Sequence, residues 1–541
     1  MQYEPSDTQP SVLITHYSLR DTLLGLVLVA LLALAIVASW KDRNVEGRIR
    51  VTQAYGLLDE GRYTRAVGQL EETLLFYDEP EARLALSYAY LARRDLERAE
   101  RQAQLVLDAG RLDVLPAGWT QLGRVLQAAG QPEDALAAWN MAVRTARPYR
   151  GIARIEADVH SALWNVAMFH WTRGEFETAR GLLQDLAAGD DTYGLSARVK
   201  LAQLLGPSEG ERALRLIESI PLPAPSPTPS AFNPQTRVPT TPNLRVPGLS
   251  EGLTPGQRDG LVVALRSALE SAKNTHGSGG QPERLLIWGN AYLLQGEPGL
   301  AMLQLARAVA INPESGEAHA QYGLALAGVG DVEGAMRELE AATVLDPRLP
   351  LPHNALARLY MQRERWDDAL REIDALQRLQ STSASPHLLR GEYHRLRGEY
   401  SRAEEALFQA AAIQKGLGAQ PGEPDAQLTL ALFYIDVVGE GCLKGLPAAQ
   451  ESVVAHPDHP ESLDAVGWAF ALCGRPNEAL PPLEEAVSRA PDNPRYRYHL
   501  GRAYAQLDRE VDAREQYTRV LDFDPGGSWV NLAVTELAKL P

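Results

Sequence analysis

Apolar and small residues recur along the C-terminal half of this chain with a period of 34 residues. Within each period they fall at the spacings of helix faces. Gly289, Gly323, Ala357 and Gly391 are spaced by 34, and so are Gly467 and Gly501. Three places after each stands Tyr292, Leu326, Tyr360, His394, Phe470 or Tyr504. Twelve places on comes an alanine (Ala301, Ala335, Ala369, Ala403, Ala479, Ala513), and Pro313, Pro347, Pro491 and Pro525 lie twenty-four on. A Gly, Glu or Asp separates the two apolar stretches of each period (Gly296, Gly330, Glu364, Gly398, Gly474, Asp508). The pattern predicts two helices per period. The small residue and the alanine allow close approach, the aromatic or leucine fills the space between, the turn residue ends the first helix, and proline stops the second. One such hairpin buries too little apolar surface alone, so neighbours must stack and share a core.

The segment Leu285, Trp288, Gly289, Tyr292, Ala301, Leu305, Ala308, Pro313 resembles the tetratricopeptide repeat in every slot. So does Leu463, Val466, Gly467, Phe470, Ala479, Leu483, Ala486, Pro491. A weaker copy runs from Ala426 to Pro457, after an insert at 416–424, with the irregular turn Gly439, Glu440, Gly441. In the N-terminal half the best copy is Trp119, Leu122, Gly123, Leu126, Gly130, Ala135, Trp139, Ala142. Others centre on Gly61/Ala66, Ala99, Gly174/Ala179 and Ala213. The resemblance implies an all-α fold of two superhelical solenoid arrays, over 46–220 with about five repeats and 258–541 with about seven. Trp529 to Leu540 reads as the capping helix that such stacks need.

Residues 221–257 are proline-rich and read as a semi-stiff spacer with few contacts across it, so the two arrays are expected to melt independently. Arg258 to Asn274, with Leu261, Leu265, Ala268 and Leu269 on one face, is expected to cap the second array. Ahead of the repeats, residues 1–21 form a leader, and 22–40 is an uncharged apolar run long enough to cross a bilayer as a helix. Asp21 and Lys41 bracket the run, and Trp40 suits the interface. Ala33-Leu34-Ala35 would serve as a cleavage site, but the leader carries Glu4 and Asp7 and lacks a basic signal-type start. An uncleaved single-pass anchor in the cell membrane follows. Lys41, Arg43, Arg48 and Arg50 after the run, against Arg20 before it, favour the cytoplasmic side for the repeats and leave the other side open.

Net charge is −16 with no basic run, which speaks against nucleic acid as a partner. Cys442 and Cys473 lack CxxC spacing and read as free thiols in adjacent turns. His456 and His459, with Asp458 and Glu461, form the densest ligand-like cluster, yet an exposed loop pair is weak for zinc. No HExxH, phosphate-cradling loop or nucleophile elbow is present, so neither an enzyme nor a cofactor site is expected.

By the family resemblance, the first helices line a groove for partner segments. Its polar positions would be Asn290, Asn354, Arg358, Glu392, Arg395, Arg495, Tyr498 and Arg502. In the N-terminal array the same slots hold Val51, Tyr55 and Leu58, then Leu84, Tyr88 and Leu91, then Trp164, Met168 and Trp171. These are groove residues or core residues seen in another register. Arg495, Tyr498 and Arg502 share one helix face and suit an acidic segment. The carboxylate-clamp specialisation is rejected, since only Asn290 fits it and Leu286 occupies the lysine slot. The reading is a membrane-anchored scaffold for protein or peptide partners, in envelope or complex assembly. The alternative is a permanent accessory subunit of a membrane complex.

Overall fold

A computed structural model describes residues 44–149, 152–220, 255–273, 280–418, 423–524 and 526–541. The apolar run at 22–40 and most of the proline-rich segment lie outside these residues. Among the described residues no helix is long and apolar enough to cross a membrane. The first five hairpins are α1 (44–59) with α2 (Tyr63–Leu74), α3 (Pro80–Ala92) with α4 (Leu96–Asp108), α5 (Leu115–Ala128) with α6 (Pro132–Ala146), α7 (Ala153–Thr172) with α8 (Phe176–Leu186), and α9 (Thr192–Leu205) with α10 (Gly210–Glu218). A single helix α11 (Pro255–Lys273) follows. Then come α12 (Gly280–Leu294) with α13 (Pro298–Ile311), α14 (Gly316–Gly328) with α15 (Val332–Leu345), α16 (Pro350–Gln362) with α17 (Trp366–Leu379), and α18 (Ser385–Leu396) with α19 (Tyr400–Leu417). The last three are α20 (Ala426–Leu432) with α21 (Leu446–Ala455), α22 (Pro460–Leu472) with α23 (Pro476–Arg489), and α24 (Pro494–Gln506) with α25 (Glu510–Phe523). They are followed by α26 (Ser528–Leu537).

The repeat slots have a direct steric meaning. A Cβ on Gly289 would lie 2.4 Å from Leu305, and one on Gly467 would lie 2.5 Å from Leu483. The same pairing of residues sixteen apart sets Gly123 against Trp139 and Gly501 against Tyr517. Where the slot holds Ala357 instead, the facing residue is the β-branched Ile373, and both are fully buried. The turn residues take the left-handed conformation that ends a helix: φ is 71° at Gly296 and 69° at Gly474, and 56° at both Glu364 and Asp508.

The two arrays are one stack, contrary to the expected lack of contact. Tyr292 donates its hydroxyl to the Gln203 carbonyl at 2.6 Å, and Trp171 Nε1 donates to Glu297 at 2.9 Å. Lys200 pairs with the same Glu297 and lies over the Trp171 ring. A Cβ on Gly206 would meet the Trp288 ring at 2.3 Å. Leu201, Leu205 and Ile217 share one core with Leu265, Leu269, Trp288, Tyr292 and Leu300. Helix α11 is therefore a wedge at this seam rather than an end cap, and it already begins at Pro255, inside the expected spacer. The composition of 221–254 describes that segment alone. It carries no information about whether its two flanks are neighbours in space.

The first and last hairpins also meet. Arg519 donates Nη1 to the Gly61 carbonyl at 2.6 Å and Nη2 to that of Glu60 at 2.9 Å. Glu515 pairs with Arg62 and Arg65. Helix α2 receives no side-chain cap from its own N-cap residue, Arg62. Asp522 supplies one from the far end of the chain, accepting from Thr64 N at 2.8 Å and Thr64 Oγ1 at 2.9 Å. Asp522→Ala should cost about 1–2 kcal/mol, the usual worth of a cap, read as faster amide exchange in α2. Asp522→Asn keeps an acceptor and should cost less. Burial holds the Asp522 carboxyl above the ordinary aspartate value. A group whose folded value is raised contributes stability below its unfolded value and loses it as pH rises through the folded one. Acidification should thus tighten the contact relative to Asp522→Asn.

Candidate functional site

One hairpin departs from the pattern. Asp425 caps α20 by accepting from Gln427 N at 2.9 Å and Leu428 N at 3.2 Å. After Leu432 the backbone widens into two short π-helical turns, Phe433–Val438 and Gly441–Gly445, joined through Gly439 at φ 77°. Such turns insert residues into a helix and recur at functional sites. Tyr434 and Lys444 both bond Glu404, at 3.0 and 2.8 Å. Lys444 holds the Glu404 carboxyl below its usual value, and burial pushes the Tyr434 hydroxyl up to about 12. The expectation of free thiols is corrected here: Cys442 and Cys473 form a disulfide with Cα atoms 5.3 Å apart. The widened turns carry Cys442 against the end of α22, which a spacing of 31 residues does not disclose.

Beside this hairpin lies a cavity of about 740 Å³. Leu388, Leu407, Leu428, Leu432, Phe433 and Val437 give it an apolar wall. Its charged lining is Glu392, Glu423, Asp425, Asp436 and Glu461 against Arg358 and Arg395. Arg358 gives Nη1 to Glu392 at 3.1 Å and Nε to Asn354 at 3.2 Å, and Asn354 contacts Ser385 at 3.4 Å. His456 and His459 also line the cavity. His456 lies 3.9 Å from Asp425, and His459 Nδ1 is 3.1 Å from Ser462. Among the described residues no group of three or more His, Cys, Asp or Glu is placed to hold a metal ion.

Of the groove residues expected from sequence, Arg358, Glu392 and Arg395 meet at this cavity, with Asn354 behind them. Asn290 stands apart and half-buried. The last repeat is corrected. Tyr498 is 8% exposed and packed 5.5 Å from Trp529 and 5.9 Å from Tyr517. Arg502 gives Nη1 to Glu536 of α26 at 2.8 Å. Arg495 Nε lies 3.1 Å from the fully buried Asp464. The capping helix covers Tyr498 and Arg502, and carboxylates of the chain itself pair with both arginines.

The N-terminal triplets are corrected as well. Trp164, Met168 and Trp171 are buried, as are Val51, Tyr55, Leu58, Leu84, Tyr88 and Leu91. Successive first helices touch there (α3 on α5, α5 on α7, α7 on α9), so these positions are core. In sequence Glu461, His456 and His459 read as a ligand-like cluster and not as groove residues, while the residues missed are those of the widened turns, Phe433, Asp436 and Val437. The irregular Gly439, Glu440, Gly441 was their one signal.

The model of the tetratricopeptide repeat family matches residues 51–113, 120–193, 354–424 and 473–528. No curated protein matches the chain. Among solved structures, the chain is similar to the APC/C hetero-tetramer Cut9–Hcn1 at 15% identity, over 90% of this chain and 95% of that one, TM-score 0.39. Yeast Tom70 is similar at 13% identity, over 92% and 95%, TM-score 0.39. PilW, a type IV pilus biogenesis factor, is similar at 16% identity, over 40% and 98%, TM-score 0.35. At these identities and scores the likeness carries nothing about function.

Proposed function

Because the chain belongs to the tetratricopeptide-repeat family, we propose that it is a membrane-anchored interaction scaffold whose groove binds a segment of a partner protein. One observation carries the reading: the cavity of about 740 Å³ where α16, α18, the widened hairpin and the start of α22 converge. A volume of that size, with an apolar wall set against charged groups, suits a short stretch of side chains. Anchoring rests on the uncharged run 22–40. For the side of the membrane, the disulfide favours an oxidising compartment, and we weigh it above the Lys/Arg bias of one short leader.

A photo-reactive residue in place of Val437 in the full-length chain should crosslink a small set of partner proteins in intact cells. The same residue in place of Phe408, which is 62% exposed on α19, should not. Equal patterns from the two positions would contradict the groove reading. Deleting residues 1–40 should release a folded fragment from membranes, and retention in the membrane fraction would remove the anchor.

A further inference from the structure

We propose that the groove at the widened hairpin selects a cationic, apolar peptide segment, with Lys or Arg beside Leu- or Phe-type side chains. The proposal rests on the scaffold reading above and adds the partner's chemistry. Its first support is charge. Arg358 is held by Glu392 at 3.1 Å, and beyond that pair the lining carries one arginine, Arg395, with four carboxylates, Glu423, Asp425, Asp436 and Glu461. Asp425 accepts from Ser452 and from the backbone amides of Gln427 and Leu428 and stands 3.9 Å from His456, and among the described residues no arginine or lysine pairs with it.

The nearby Arg495 does not reverse this balance. Its Nε lies 3.1 Å from Asp464, which has no exposed surface, while Asp436 and Glu461 stand off at 3.6 and 3.9 Å. Those two carboxylates remain 46% and 41% exposed. A guanidinium or ammonium arriving in the groove meets the exposed edges of Asp436 and Glu461, which Arg495 approaches no closer than 3.6 Å. The opposite wall supplies the second half of the specificity: Leu388, Leu428, Leu432, Phe433 and Val437 would take apolar side chains beside the cation. The cavity is acidic overall, so an anionic lipid surface is repelled rather than bound. The disulfide ties the π-turn wall to the end of α22, so the wall is formed before the segment arrives.

The test uses the full chain in mild detergent and three fluorescein-labelled nonapeptides. One carries two arginines between leucine and phenylalanine; a second has glutamates for the arginines; a third has serines for the apolar residues. The first should bind about tenfold tighter than either twin, as expected for a desolvated charge pair beside apolar contact, and should weaken with added salt. Asp436→Asn with Glu461→Gln should lower its affinity about tenfold and flatten the salt dependence. Glu405→Gln, at an exposed position on α19, should leave affinity unchanged. Circular dichroism of each variant confirms the fold. Equal or tighter binding of the glutamate peptide, an unchanged affinity in the double variant, or binding by none of the three overturns the proposal. In the last case, crosslinks persisting at Val437 would leave the scaffold reading standing, and their absence would remove both.

Discussion

Cutting the chain within residues 226–247 should leave its two halves bound to each other and melting in one transition. The seam between α9, α11 and α12 is a continuous core, with Trp288 against Gly206 and Tyr292 bonded to the Gln203 carbonyl. Nearest-neighbour interfaces carry most of the stability of a repeat stack, so removing a covalent connection elsewhere leaves this one in place. The ion pair at the seam gives the prediction its magnitude. Lys200 and Glu297 have side chains 9% and 14% exposed, and Trp171 bonds the same carboxylate. Glu297→Ala strands Lys200 without its partner, which costs about 3 kcal/mol or more for a pair this buried. In the cut chain that loss should release the halves at micromolar concentration, seen by size-exclusion chromatography. Halves of the unmutated cut chain that elute apart and melt separately would show that the seam is weak.

Gly467→Leu should lower stability by about 3 kcal/mol or more, the upper range of overpacking costs. A Cβ alone at this position would sit 2.5 Å from Leu483 Cγ and 3.2 Å from the Ala479 carbonyl oxygen, so neither a rotamer change nor a small shift makes room for leucine. Because α22 also forms one side of the groove through Glu461, the variant should lose crosslinking at Val437 together with its melting temperature. Arg395→Leu, at an exposed position, should leave the melting temperature within a degree or two while changing what the groove accepts. A wild-type melting temperature in Gly467→Leu would mean the helix pair is not packed as described.

The hairpins were legible because their determinants are local and periodic. A glycine at one slot, its leucine partner sixteen residues on and a left-handed turn residue between them are fixed by one repeat's own sequence. The groove was legible only where the repeat is regular: Arg358, Glu392 and Arg395 converge, whereas Tyr498 and Arg502 fall under α26 and Arg495 turns to the buried Asp464. Sequence placed a capping helix at the end of the stack but not which face it covers, since that depends on superhelical curvature. Contacts of α7 with α5 and α9 decide that Trp164, Met168 and Trp171 are core. Contacts such as Thr64 with Asp522, separated by 458 residues, leave no periodic trace. The Cys442–Cys473 bond depends on two π-turns that interrupt the repeat period.

The chain forms one continuous solenoid, closed where its first and last hairpins meet. Spin labels at Gly68 of α2 and Val511 of α25, both exposed, report the separation of its ends in the intact protein. The contact of Arg519 and Asp522 with residues 60–64 predicts a single narrow population at short distance. That population should broaden and lengthen in Asp522→Ala. A broad, long distribution in the unmutated chain would contradict both the closure and the continuous seam.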